Sequence, residues 1–244
     1  MKVYKVIKYD FFCRWQCLLI GCLLFAIADS MFVSQQVRIF HASVCSVADY
    51  YVIGDNANFM FVVVPILVAI MMLWTYRHCC LHYVIVTNRK SYAMCEQLKA
   101  VNYVSLFMFT FNAIHIVHGE MSGNTLINFD CDNSIFALVN SSMAQSDISF
   151  TEVVVRVNIS LTLTIYLMVL ITLLLQRIVQ SSLYTFLGTI VFSNIVAYMG
   201  IANKMEISYR NILKHDYKFW GGIIILDIIL AMLLYCIDIR KDYR

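Results

Sequence analysis

The chain has 244 residues, of which 61% are hydrophobic and only 14% charged, with a formal net charge of +3 and a mean hydropathy of +0.75. A soluble domain carries about a quarter charged residues. That balance excludes an ordinary water-soluble enzyme or a nucleic-acid-binding domain and points to an all-α integral membrane protein.

A membrane-spanning helix needs roughly 20 mainly apolar residues at about 1.5 Å rise each. Six windows meet that length: Trp15 to Val33, Asn58 to Tyr76, Val101 to His118, Val153 to Leu175, Leu183 to Ala202 and Phe219 to Ile239. The runs are separate and do not alternate, which favours six transmembrane helices over a closed barrel. No Gly-, Pro- or Ser-rich linker and no fixed repeat divides residues 1–244, so they read as a single transmembrane domain.

The amino terminus interleaves Lys2, Lys5 and Lys8 with Val3, Tyr4, Val6 and Ile7, then reaches Phe11, Phe12 and Trp15. This pattern predicts an interfacial amphipathic helix ahead of the first span. Ala26, Ile27 and Ala28 match a small-residue cleavage site, but the stretch before the apolar core is long and carries Asp10. The segment is read as a retained first span. In the second window stands Pro65, the only proline, where a missing N–H predicts a bend.

After the second window comes the largest internal loop, Arg77 to Lys99. Its His78, Cys79, Cys80 and His82 suggest metal ligands by residue type, yet adjacent cysteines do not share a helix face, and no metal site is expected. Ser91 to Lys99 suits a short helix lying across the membrane surface. His115 and His118 read as interfacial polar residues at the outer end of the third window, and Asn112 lies at interior depth.

Between the third and fourth windows, Glu120 to Glu152 carries five acidic residues and no Lys or Arg. Asn140 with Ser142 forms a glycosylation pattern that matters only in a eukaryotic secretory pathway. Asn158, Thr162 and Thr164 in the fourth window and Asn194 in the fifth are interior amides and hydroxyls that can bond between helices. The last external loop, Asn203 to Lys218, ends in the aromatic pair Phe219 and Trp220. Gly221 and Gly222 then permit close helix approach. Asp227 is the sharpest outlier, set in the run IIILDIILAMLL, and a carboxylate there should face the bundle, water or a partner. It either lines a pathway or bonds neighbouring helices.

Lys and Arg in short loops mark the cytoplasmic side. With both termini cytoplasmic, Lys2, Lys5, Lys8, Arg14, Arg77, Arg89, Lys90, Lys99, Arg177, Arg240, Lys241 and Arg244 fall inside, leaving 6 of the 18 basic residues outside. The expected location is the plasma membrane. Of nine cysteines only Cys45 and Cys131 fall outside, where a disulfide between them is permitted. No Gly-rich phosphate loop, HExxH helix, GxSxG elbow or CxxC pair is present, so no catalytic residue is expected.

The stretch VVVPILVAIMMLWTYRHCCLHYVIVTNRKSYAMCEQLKAVNY resembles the second span, charged coupling segment and third-span start of small permease subunits of bacterial ABC-type exporters. These proteins are linked to export of, or immunity against, bacteriocins and other peptides. The layout of nearly the whole chain is similar, although His78 to Cys80 departs from the charged residues of that pattern. The resemblance implies ATP and magnesium on a separate ATPase subunit and no cofactor on this chain. It also implies a second permease subunit, lipid as surroundings and no nucleic acid. Arg77, Arg89, Lys90, Glu96 and Lys99 would form the coupling loop, and Asn112, Asn158, Asn194 and Asp227 the pathway or helix packing. A non-transporting sensor or immunity protein that binds a toxin or lipid is the alternative, and an intramembrane enzyme using Asp227 and a histidine is the weakest reading.

Overall fold

A computed structural model describes residues 2–39, 45–54, 59–76, 89–122, 125–131, 134–135, 138, 148–198 and 217–240. The regular elements among these residues are helices. In chain order they form α1 (Lys2–Ile39), α2 (Val47–Gly54), a π-helical turn (Phe59–Val63), α3 (Val64–Tyr76), α4 (Arg89–Met121), α5 (Phe150–Val179), α6 (Ser182–Tyr198) and α7 (Tyr217–Arg240). Every predicted window contains a helix, but their lengths differ from expectation.

Among the described residues, four helices are long and apolar enough to cross a membrane: Leu18–Ile39, Glu96–Met121, Phe150–Val179 and Trp220–Arg240. Two predicted spans fall short of that measure. The second is divided at Pro65, where the π-turn ends and a 13-residue α-helix begins. Proline has no N–H to donate to the preceding turn, and the π-turn Phe59–Val63 ends just before it. The fifth is described as a helix of 17 residues.

Two surface helices expected from the sequence are not separate elements. Residues 2–39 form one helix of 38 residues, so the basic amino-terminal segment continues without a break into the first span. Ser91 to Lys99 is likewise the first part of α4, with Ala93, Glu96 and Ala100 buried. In α4 the buried face of Ala93, Glu96 and Ala100 continues the helix inward where an interfacial helix would have turned aside.

The centre of the bundle is α5. Buried residues make up 67% of its apolar window, against 22–28% for the other three long helices, and it packs on α2, α3, α4, α6 and α7. Ser149 caps its start by accepting the Glu152 N–H at 3.3 Å, and Gln180 closes its end in the left-handed region at φ 56°, which meets the orphan groups of both termini. Glu152 also pairs with Arg156 one turn on. Against α5 lies an apolar core that includes Leu161, Ile165 and Met168 and the aromatic group Phe25, Phe59 and Phe107. Phe25 is the hinge of that group, with ring centroids 5.0 Å from Phe107 and 5.8 Å from Phe59.

The short α2 is folded against the ends of α4 and α5. Ser46 and Asp49 cap it reciprocally: the Asp49 carboxylate accepts the Ser46 N–H at 2.8 Å, and Ser46 Oγ accepts the Asp49 N–H at 3.2 Å. The next two free amides, of Val47 and Ala48, donate to Thr125 and Leu126 carbonyls at 3.0 Å. Close approach falls on Gly54, where an added Cβ would strike the His115 ring, and on Gly119 against Val47. Gly221 and Gly222, expected to serve this purpose, have open space beside them among the described residues.

Candidate functional site

Among the described residues several polar groupings interrupt the apolar bundle, and three of them carry amide or ionisable side chains whose hydrogen bonds separate structural roles from available chemistry. The first joins α2, α4 and α5. Asn112 Nδ2 donates to Asn158 Oδ1 at 2.7 Å, and Asn158 Nδ2 donates back to Asn112 Oδ1 at 3.2 Å. Each amide also donates to its own helix, to Met108 and Val154 carbonyls at 2.8 Å. Tyr51 Oη completes the set by donating to Asn112 Oδ1 at 2.8 Å. Burial pushes the Tyr51 phenol above its ordinary value, which keeps it a donor. The sequence-predicted pair is therefore brought together, but its donors are spent inside the protein, as expected of groups that join helices.

Beside it, Asp29 and His115 are both fully buried, with Oδ2 and Nε2 3.3 Å apart. The angle does not make a hydrogen bond, so the contact is a close approach of two polar groups. Phe111 lies edge-on to His115 at 4.0 Å between centroids, and Gly54 abuts the same ring. One turn further out, His118 Nε2 meets Ser30 Oγ at 3.2 Å and stacks on Tyr50. Tyr50 in turn bonds to Ser122. Neither histidine belongs to a metal-ligating group among the described residues.

The second grouping lies at the opposite end and ties α4, α5 and α7. Arg177 sits between two buried acids: its Nε is 2.6 Å from Asp238 Oδ1 and its Nη2 is 3.4 Å from Glu96 Oε2. The short Nε approach falls outside hydrogen-bond angles, while Nη2 reaches Asp238 Oδ2 at 3.5 Å. Lys99 adds a second cation to Glu96 at 2.9 Å. Glu96, placed by sequence in the coupling surface, is thus 3% exposed and occupied with internal charges. Lys90 is exposed and Arg89 begins α4. Arg77 and the cluster at His78, Cys79, Cys80 and His82 lie outside the described residues, as do Asn140 and Ser142.

The third grouping is Asp227. Helix α7 buries Ile223, Asp227, Leu234 and Asp238 on one stripe, at the four- and seven-residue spacing of one helix face. A cavity of about 420 Å³ opens beside it between α4, α5 and α7, with Gln97, Tyr166, Ala231 and Tyr235 among its walls. Gln97 Nε2 is engaged with the Ala231 carbonyl at 3.2 Å. Both Asp227 carboxylate oxygens are buried and have no hydrogen-bond partner among the described residues. A charged group at mid-helix costs roughly 2.5 to 3.5 kcal/mol on insertion scales, so an unpartnered one is the feature least explained by packing.

Asn194 does not join any of these groupings. It is exposed on α6 and donates only to the Ile190 carbonyl at 2.8 Å. Cys45 and Cys131 are free thiols, the first buried and the second exposed, so the disulfide considered between them is not formed. Burial, with the nearby Asp49 charge, pushes the Cys45 thiol up to about 11. Sequence reasoning missed Arg177 as a bridge and Asp238 altogether. Their signal was present: opposite charges at the ends of two apolar windows that share a membrane depth. Tyr51 had no signal, since an aromatic in a short external helix has many uses.

No family model, curated protein or solved structure matches the chain. The four apolar helices make it compatible with a membrane protein, and the functional reading rests on the groupings above.

Proposed function

We propose that this chain is the membrane permease subunit of an ATP-driven exporter of amphipathic compounds, peptides among them, with ATP and magnesium bound by a separate ATPase. The observation that carries the reading is the Asp227 cavity: an intramembrane carboxylate left unpartnered in a chamber between three helices. Intramembrane ionisable groups that face a cavity characteristically mark substrate or ion pathways.

The proposal takes six spans and cytoplasmic termini. The π-turn and α3, with 5 and 13 residues, and α6, with 17, each supply roughly 25 to 27 Å of helix at about 1.5 Å per residue. That approaches the roughly 30 Å of hydrocarbon. On this topology Lys90 and Arg89 lie on the cytoplasmic face, next to the Glu96–Arg177–Asp238 bridge that ties α4, α5 and α7. A push on the loop would reach all three cavity helices through that bridge.

Gentle purification with its native partners, followed by mass spectrometry and an ATPase assay, tests the reading. A stoichiometric ATPase is expected, and its stimulated activity should fall in Arg89→Ala/Lys90→Ala without loss of the folded chain. A well-folded chain recovered without an ATPase from several mild detergents would refute it. The second reading, a sensor or immunity protein that binds a toxin or lipid without moving it, is favoured by one observation. Asn112 and Asn158 spend their amides on each other and so offer a passing compound no free donor.

A further inference from the structure

Two carboxylates stand on the buried stripe of α7, and the fold treats them differently. Asp238 receives the Arg177 guanidinium at 2.6 Å. Asp227, eleven residues earlier and about 16 Å along the helix axis, is also buried at 4% exposure and faces no Lys, Arg or His in the walls of its cavity among the described residues. The protein thus builds a countercharge for one acid and leaves space beside the other.

The space has a definite character. It measures about 420 Å³, within the range of pockets that hold small organic ligands. Its walls are nearly all apolar, with Leu163 and Ala231 beside the rings of Tyr166 and Tyr235. Aromatic faces attract cations when water is excluded. A single carboxylate in an apolar, aromatic-sided chamber complements one positive charge on a greasy body. An anion would meet Asp227 with like charge, and a neutral compound can donate a hydrogen bond to it but brings no countercharge.

Access also follows from the fold. Ile224, Ile228 and Met232, which share the cavity wall with Asp227, are themselves exposed, so the cavity is open along this side of α7. In a bilayer that side of α7 faces lipid, so a compound already dissolved in the membrane reaches the cavity without crossing water.

We infer that the Asp227 cavity is a binding site for monovalent lipophilic cations, taken laterally from the lipid phase between α4, α5 and α7. The inference deepens the transport reading and rests on it for the fate of the bound compound. Binding itself needs only this chain, so failure to bind and absence of an ATPase are separate results.

The test is equilibrium binding of labelled tetraphenylphosphonium to the full chain in phosphatidylcholine nanodiscs, corrected for empty discs, with tetraphenylborate as the size-matched anion. Saturable binding of one cation per chain is expected, with no displacement by the anion. Asp227→Asn should weaken it about a hundredfold, the size of a broken buried charge pair, while Asp29→Asn leaves it unchanged. Should Asp227→Asn fail to fold, Ala231→Phe keeps the carboxylate, fills the chamber and should abolish binding. Absence of saturable binding to the native chain would overturn the inference. So would equal affinity in Asp227→Asn, or a cross-link between Met232→Cys copies showing that a second chain covers the cavity and excludes the cation.

Discussion

Replacing Arg177 by Met removes a guanidinium that serves two buried acids and keeps most of its apolar volume. Asp238 is fully buried with the Arg177 Nε 2.6 Å from its Oδ1, and Glu96 pairs with Lys99 at 2.9 Å as well as with Arg177. The cost therefore falls mainly on Asp238. Breaking a buried pair from one side costs about 3 to 5 kcal/mol, because a desolvated charge is left behind, while removing both partners is often close to neutral. With Lys99 covering Glu96, Arg177→Met should cost about 3 kcal/mol. The double variant Arg177→Met/Asp238→Asn should return to within about 1 kcal/mol of the native chain. Reversible unfolding in mixed micelles, followed by tryptophan fluorescence, reads both numbers. A loss below about 1 kcal/mol in the single variant would refute the reasoning, as would a double variant no more stable than the single. Either result would mean that another group, water or a proton already neutralises Asp238.

The same structure gives further outcomes. Asn112→Leu should destabilise the bundle more than Asn158→Leu, since Asn112 also holds Tyr51; membrane hydrogen bonds contribute about 0.6 kcal/mol on average, and thermal melts in detergent would resolve the order. Gly54→Ala should cost about 1 to 3 kcal/mol by overpacking, because the new methyl meets the His115 and Phe111 rings. Gly21→Ala meets only the flexible Met71 side chain, and the same melts should show it to be the milder change. Cys131, exposed, should react with a maleimide in the folded protein while buried Cys45 does not. The Cys45 thiol, raised from 9.0 to about 11, contributes stability below pH 9 that is lost as pH rises through about 11. Unfolding titrated across that window would check the sign.

Hydropathy alone pointed to an all-helical chain compatible with a membrane and to approximately where its long helices lie, because a bilayer demands long apolar runs with internally satisfied backbones. It also placed Asn112, Asn158 and Asp227 within those apolar runs. It did not give azimuth. A helix surrounded by lipid and other helices is apolar on every side, so the sequence carries little sign of which side a polar residue takes. Asn158 and Asn194 read alike, yet one meets Asn112 across a helix interface and the other points outward. Glu96 read as a surface charge because basic residues surround it in sequence, but continuing α4 without a break turns it toward Arg177. Asp29 and His115 are 86 residues apart and meet only because α1 and α4 pack together. The decisive contrast, Asp238 with a cation and Asp227 without one, exists only after three helices have been placed side by side, since a partner is a property of distance and not of order along the chain.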